Sequence, residues 1–221
     1  MPYSDYPNGG IVRQFLIDAG LPAGNLSAAW YDSAAAVAAR DFEGASGANR
    51  KMLAGASETR LYSAPAGNAG TLDIDDLAVV TAVSYQPSNT TPVVWTAGVD
   101  YWLEPSDAPG KGWPYTAIRF LRRWLDTASG PGVGWPADRR SIAVTGQFGY
   151  SLTLPDDVWQ AVLERAAAKV ARQLGFAITG GGISKWERAE RSVSYRSSAD
   201  IAAAFSADWA TTAAAYRRVR F

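Results

Sequence analysis

The sequence predicts an α+β protein with a helical core, an inserted β-rich block and a C-terminal helical arm. Two observations support this prediction. Apolar residues recur at helical spacing before residue 59 and after residue 151, whereas between these positions they mostly alternate with a period of two. The stretch 141–174 shows the change directly, because a strand-like run ends near Gly149 and a long amphipathic helix follows it.

The central helix after residue 152 has the clearest signals. Pro155 suits a first turn, where its missing N–H costs no hydrogen bond, and Asp156 and Asp157 follow at the positive end of the helix dipole. Gly175 marks the C-terminal end. The spacing predicts one buried stripe, formed by Val158, Val162, Ala166, Val170 and Leu174.

Two shorter helices are predicted near the N terminus, after an arm rich in Pro, Gly, Asn and Tyr. The first covers 11–19, and the second runs from the capping residue Ser27 to Gly44. We expect them to form a helical hairpin, which together with the central helix makes up the predicted helical core.

The β-rich block contains roughly six predicted strands, bounded by turn residues. They are 59–62, 71–85, a hairpin-like pair within 93–105 around Ala97-Gly98, 115–121 and 141–145. After the central helix, the Gly-rich stretch 179–184 predicts a hinge, and a last helix begins near Ser198 or Asp200. The predicted segments are therefore the arm and hairpin at 1–58, the β-rich insertion at 59–151, the central helix at 152–178, and the hinge, extended arm and C-terminal helix at 179–221.

The composition excludes several classes of function. The chain has no Cys and no His, so Ser-His and Cys-His catalysis and His-ligated metal sites are excluded. Lys plus Arg equals Asp plus Glu, at 21 each, which argues against bulk electrostatic binding of nucleic acid. The first ten residues have no signal-peptide pattern, and no run of about 20 apolar residues predicts a membrane span.

Carboxylates offer the remaining routes to chemistry. Asp73, Asp75 and Asp76 form the densest acidic group, but their spacing lacks the Gly turn and distal Glu of an EF-hand, so we interpret them as solvent-facing. Glu104 and Asp107 have the composition of an acid/base pair, but a polar turn before Pro105 and Pro109 explains them as well, and we favour the turn. We expect no catalytic residue, no metal and no cofactor.

Two further groups leave alternatives open. Nine Trp residues favour core and interface roles, although exposed rings at Trp95, Trp102 and Trp113 would also suit a sugar-binding face. The basic end of the last helix is equally typical of a docking segment for an acidic or phosphate partner and of charges that complement the helix dipole. This end consists of Arg217, Arg218, Val219, Arg220 and Phe221.

The order of several short motifs resembles the head–tail connector, or adaptor, proteins of long-tailed bacteriophages. After the helical hairpin come DYWLEP (Asp100 to Pro105), PYTAIRFL (Pro114 to Leu121), VTGQFGYS (Val144 to Ser151), PDDV (Pro155 to Val158), SVSY (Ser192 to Tyr195) and YRRVRF (Tyr216 to Phe221). Each motif is short, and their order and spacing carry the resemblance. It covers the chain from about residue 25 onward and leaves out the N-terminal arm and the loop 126–140.

The resemblance implies a non-enzymatic virion protein at the neck between capsid and tail, assembled in the host cytoplasm. It implies a ring, commonly of twelve copies, that docks on the portal protein, contacts the next neck or tail-terminator protein, and extends a channel through which DNA passes without sequence-specific binding. The portal-docking residues would be those of the last helix: Phe205, Trp209, Tyr216, Arg217, Arg218, Val219, Arg220 and Phe221. The alternative is a carbohydrate-binding or carbohydrate-cleaving module that uses exposed Trp residues and the Glu104/Asp107 pair.

Overall fold

The computed structural model describes residues 3–19, 26–44, 47–63, 70–86, 91–121, 140–177, 186–188, 191–193 and 209–217. The chain divides into two compact units. The helical unit comprises Met1–Arg50 and Thr153–Phe221, and the sheet unit comprises Lys51–Leu152.

The helical unit contains α1 (Gly9–Asp18), α2 (Ala28–Glu43), α4 (Asp156–Ala177) and α5 (209–215), together with a short antiparallel pair of strands, β7 (Trp186–Arg188) and β8 (Arg191–Val193). The predicted central helix is present as α4. Its buried side chains are mostly alanines and valines, small enough to let α2 and α4 approach closely. An ion pair between Lys169 and Asp41, at 2.9 Å, joins the same two helices.

The caps of the first two helices differ. Asn8 caps α1, because its side-chain oxygen accepts a hydrogen bond from Ile11 N at 3.0 Å. Ser27 takes the N-cap position of α2, as predicted, but its side chain makes no capping hydrogen bond. The start of α2 therefore has no side-chain cap of the kind that Asn8 provides for α1.

The sheet unit is a six-stranded antiparallel sheet. Its strands are β1 (Glu58–Tyr62), β2 (Thr71–Tyr85), β3 (Val93–Trp95), β4 (Tyr101–Glu104), β5 (Tyr115–Phe120) and β6 (Ile142–Phe148), with a short helix α3 (Ala108–Lys111) between β4 and β5. The order is β1-β6-β2-β5-β4, and β3 also pairs with β2. The predicted hairpin within 93–105 is wrong, since β3 pairs with β2 and β4 pairs with β5.

The long strand β2 connects the two halves of the sheet. Its first half pairs with β5 and its second half with β6, and its register shifts three times along the way. Gly146 on β6 lies at one of these irregular positions. An added Cβ there would lie 2.1 Å from the carbonyl oxygen of Val79, so only glycine permits this approach of the two strands.

The predicted fold class is wrong in making the helices the core and the β-rich block an insertion upon it. The sheet encloses a hydrophobic core of its own, formed by Leu72, Ile74, Leu77, Val83, Trp95, Tyr101, Ile118, Ile142, Val144 and Phe148. The physical reason is the pairing of β2 with β5 and β6, which turns large apolar side chains from distant segments to one face and buries them together. The sheet is therefore a principal element of the fold.

Candidate interaction surfaces

The residues predicted to dock on the portal include helix α5, which packs on its own helical unit. Trp209 is buried, at 7 % exposure. Its ring meets Phe42 edge-on with the ring centroids 6.2 Å apart, and the guanidinium carbon of Arg165 lies 5.0 Å from its centroid. Aromatic burial and a cation–π contact thus hold Trp209 inside the fold. A partner can reach this ring only if α5 leaves its position.

The residues just after α5 also contact the helical unit, through polar groups. Tyr216 donates its hydroxyl proton to the Asp157 carboxylate, whose two oxygens lie 2.9 and 3.1 Å away. Arg217 donates from Nε to the carbonyl oxygen of Gly47 at 3.3 Å. The other predicted docking residues, Phe205, Arg218, Val219, Arg220 and Phe221, lie outside the described residues. Portal docking by this segment stays a prediction.

The N-terminal arm is fastened to the helical unit by two tyrosines. The ring of Tyr3 stacks on Trp159, with centroids 4.1 Å apart, and its carbonyl accepts from Leu154 N at 2.8 Å. Tyr6 donates its hydroxyl proton to Glu43 at 2.7 Å, and burial first, then this carboxylate, raises the pKa of the phenol. Sequence reasoning missed these contacts, because residues without periodicity do not indicate what they pack against. The arm belongs to the folded unit.

Among the described residues, one part of the outer face of the sheet, turned away from its core, carries no charged side chain. The register places nine residues on this face of β1, β6, β2 and β3, which we call the uncharged half: Thr59, Leu61, Val79, Ala82, Ser84, Val94, Ala143, Thr145 and Gln147. Leu61 and Val94 are 49 % and 68 % exposed, and Thr59 and Thr145 share a hydroxyl hydrogen bond of 2.8 Å. Ala143 is buried, and Gln147 donates from Nε2 to the carbonyl oxygen of Gly55 at 3.2 Å, so the exposed part of this half lies around Thr59, Leu61 and Val94. An exposed surface with few charges is typical of the centre of a protein–protein interface.

The other part of the outer face has a different composition. On β4, β5 and the start of β2, cross-strand register aligns Trp102 with Arg119 and Thr71, and Glu104 with Ala117 and Asp73. We call these six residues the charged half. It contains two carboxylates, one guanidinium and a Trp that is 50 % exposed.

The residues of the carbohydrate alternative do not converge. Trp95 is buried in the sheet core, whereas Trp102 and Trp113 are about half exposed. Asp107 forms an ion pair with Lys111, and the hydrogen bond from that ammonium group lowers the pKa of the carboxyl. Lys111 also lies 4.5 Å from the centroid of the Trp113 ring. Asp107 is therefore held ionised, which is unfavourable for a general acid.

The three aspartates of β2 also separate. Asp73 is exposed on the charged half, Asp76 is buried, and Asp75 accepts hydrogen bonds from Arg60 at 2.8 Å and from the Tyr62 hydroxyl at 3.1 Å. Across the described ranges, no group of three or more His, Cys, Asp or Glu side chains is arranged to hold a metal ion.

Within the described part of the chain, no helix is long and apolar enough to cross a membrane. The Gly-rich hinge predicted at 179–184 lies outside the described residues. No protein-family model matches this chain, and no curated protein matches it.

Proposed function

We propose that this protein is a head–tail connector, a structural component of the virion neck of a long-tailed bacteriophage. Copies of the chain assemble into a ring, in the proposed form a dodecamer, that docks on the portal protein. The ring extends the DNA channel toward the tail and presents its far side to the next neck or tail-terminator protein. The order of the motifs from DYWLEP to YRRVRF is the sequence support for this role.

The structural observation that supports the proposal best is the uncharged half of the outer sheet face. A surface that exposes Leu61 and Val94 and carries no charge across four strands is suited to contact with another protein. In the proposed ring its occupant is a neighbouring copy of the chain. The zero net charge is compatible with such packing, because it avoids bulk repulsion between identical copies.

The proposed portal contact uses the residues that follow α5. Trp209 and Ala213 are buried in the helical unit, so removing all of α5 would expose apolar surface as well as delete the proposed contact. A truncation that ends at Arg217 keeps the contacts of Trp209, Tyr216 and Arg217 and removes only 218–221. This truncation is therefore the sharper probe of docking.

Light scattering of the protein, alone and mixed with a candidate portal ring, tests the proposal. We expect a stable complex of ring size with the portal, weakened by the 218–221 truncation. The double variant Arg217→Glu with Arg218→Glu should weaken docking more at low salt than at high salt, because salt screens the charges involved. If the measured mass of the portal ring does not change in the presence of excess protein, the connector role is refuted.

The half-exposed rings of Trp102 and Trp113 favour carbohydrate binding as a second candidate. Titration with oligosaccharides, followed by tryptophan fluorescence, tests it. A saturable shift that is lost in Trp102→Ala and in Trp113→Ala would support this function, and a flat titration would leave the connector as the remaining candidate.

A further inference from the structure

An Asn-Gly pair begins helix α1, at Asn8 and Gly9. We propose that this pair is a latent deamidation site, and that the Asp32 carboxylate suppresses the reaction in the folded protein. Opening of the first turn of α1 would release the reaction. The site would take water as its only co-reactant and would need no enzyme.

The chemistry follows from the two residue types. The backbone nitrogen of Gly9 attacks the side-chain carbonyl carbon of Asn8 and a C–N bond forms. The proton of the Gly9 nitrogen passes through water to the side-chain amide nitrogen, the bond to that nitrogen breaks, and ammonia leaves. One water molecule then opens the succinimide at either carbonyl, giving aspartate or isoaspartate. Glycine favours this reaction because it has no side chain to shield its nitrogen and has a permissive backbone. Asn8 is exposed, so water has access to it.

Two structural demands place this reactive pair in the chain. Asn8 is the helix cap, and its side-chain oxygen satisfies the otherwise unpaired N–H of Ile11 at 3.0 Å. Gly9 lies where α1 meets α2, and an added Cβ would approach the nitrogen of Asp32 to 2.5 Å and the carbonyl carbon of Tyr31 to 2.8 Å. Asn-Gly here therefore serves capping and close packing, and not the hairpin turn that this pair most often indicates.

The folded structure opposes the reaction at both reacting groups. Gly9 N donates a hydrogen bond to Asp32 Oδ1 at 3.0 Å. The attack requires this nitrogen to lose the same proton, which would place negative charge beside the Asp32 carboxylate. The Asn8 side chain is engaged with Ile11 N and must give up this hydrogen bond to close the five-membered ring. Asp32 thus positions Gly9 and at the same time suppresses its nucleophilicity.

Reaction would loosen the attachment of the N-terminal arm. An isoaspartate inserts one extra methylene into the backbone between Pro7 and Gly9, and an aspartate puts a second carboxylate near Asp32. Pro7 is buried, and the contacts of Tyr3 and Tyr6 lie just before it. The modification would therefore weaken the arm's hold on the helical unit.

Peptide mass spectrometry of the full chain during incubation at neutral pH tests the proposal. Two quantities are measured: the mass gain of the peptide that contains residue 8 as its side-chain amide becomes an acid, and the amount of isoaspartate at residue 8. We expect the folded protein to react more slowly than the same chain in urea. Asp32→Ala should accelerate the folded-state reaction on the order of tenfold or more, the factor expected from losing one hydrogen bond to a charged group.

Two comparisons separate local protection from general stability. Lys169→Ala removes an ion pair elsewhere in the helical unit and should leave the rate at Asn8 nearly unchanged. Asn8→Ser keeps a capping oxygen and should abolish the mass gain. If Asp32→Ala does not fold, Asp32→Asn removes the negative charge but keeps an oxygen that can accept from Gly9 N, so it should accelerate the reaction by a smaller factor. Equal rates in folded and urea-unfolded protein, or a folded Asp32 variant that reacts at the wild-type rate, would overturn the proposal.

Discussion

The two halves of the outer sheet face are built from one continuous sheet and yet differ in chemistry. The uncharged half exposes Leu61 and Val94 beside small polar and apolar residues, whereas the charged half combines Trp102 and Arg119 with two carboxylates. The long strand β2 contributes to both halves. Because the inner faces share one hydrophobic core, folding alone does not require this difference. In the proposed ring, the two outer halves would have different surroundings.

The largest expected effect comes from the strand pairing that supports the uncharged half. Gly146→Ala would force a Cβ to within 2.1 Å of the Val79 carbonyl oxygen and 2.8 Å of Leu77 Cδ1. We expect the free energy of unfolding to fall by about 3 kcal/mol, the upper part of the usual range for overpacking. Urea unfolding followed by tryptophan fluorescence measures it.

Gly70→Ala is the matched control for this substitution. Gly70 lies at the start of β2, and an added Cβ there meets no atom within 4 Å. Its effect should stay within about 0.5 kcal/mol. Equal losses in the two variants would mean that the close approach of β2 and β6 is not needed.

A pair of surface substitutions tests the comparison between the halves directly. Val94→Asp puts a carboxylate into the uncharged half, and Thr71→Asp puts one into the charged half, both at exposed strand positions. In the proposed ring, Val94→Asp should weaken assembly at least about tenfold, since a buried unpaired charge is costly, and Thr71→Asp should have little effect. Light scattering of each variant over a range of concentrations, with and without portal, measures assembly. Similar behaviour of the two variants would remove the uncharged half from the proposed interface.

A smaller effect is expected at the edge of the sheet core beneath Leu61. The Arg60 guanidinium carbon lies 4.1 Å from the centroid of the Phe148 ring, and the side chain also bonds the Glu58 and Asp75 carboxylates. Arg60→Ala should lower the free energy of unfolding by about 1–2 kcal/mol, because these contacts are partly exposed. Arg119→Ala on the charged half is the control and should stay within about 0.5 kcal/mol. A neutral Arg60→Ala would show that this contact does not stabilise the sheet.

Periodicity predicted the elements of this protein better than their arrangement. The predicted apolar stripe of the central helix and its N-terminal signal, Pro155-Asp156-Asp157, predicted α4. They did so because local sequence controls where a helix begins. Strand pairing is not local. Residues 93–105 were predicted to form a hairpin, but the alternation that predicts strands does not indicate which strands pair with each other. The same limit led to the wrong fold class, since only pairing across distant segments shows that β2, β5 and β6 enclose a core.

The candidate site shows the same limit. The sequence placed Trp209 and Tyr216 in the last helix as docking residues, and it could not show that they meet Phe42 and Asp157 of the same unit. The uncharged half was also hidden, because its residues come from four strands that are far apart along the chain. Charge depletion on a surface becomes visible only once the register is known.

The smallest expected effect concerns two tyrosines at opposite edges of the sheet, Tyr62 on β1 and Tyr101 on β4. Burial is the main cause that raises the pKa of each phenol, and the pKa of Tyr62 is raised from 10.0 to about 12. Above pH 10.0 the unfolded chain loses a phenol proton that the folded protein keeps, so stability falls as pH rises and levels off once the folded pKa is passed. For Tyr62 this window is pH 10 to about 12. Tyr62→Phe and Tyr101→Phe should therefore each flatten the alkaline decline in the free energy of unfolding, as measured by urea unfolding above pH 10. An alkaline decline as steep in Tyr62→Phe as in the wild-type protein would show that the Tyr62 phenol does not contribute to it.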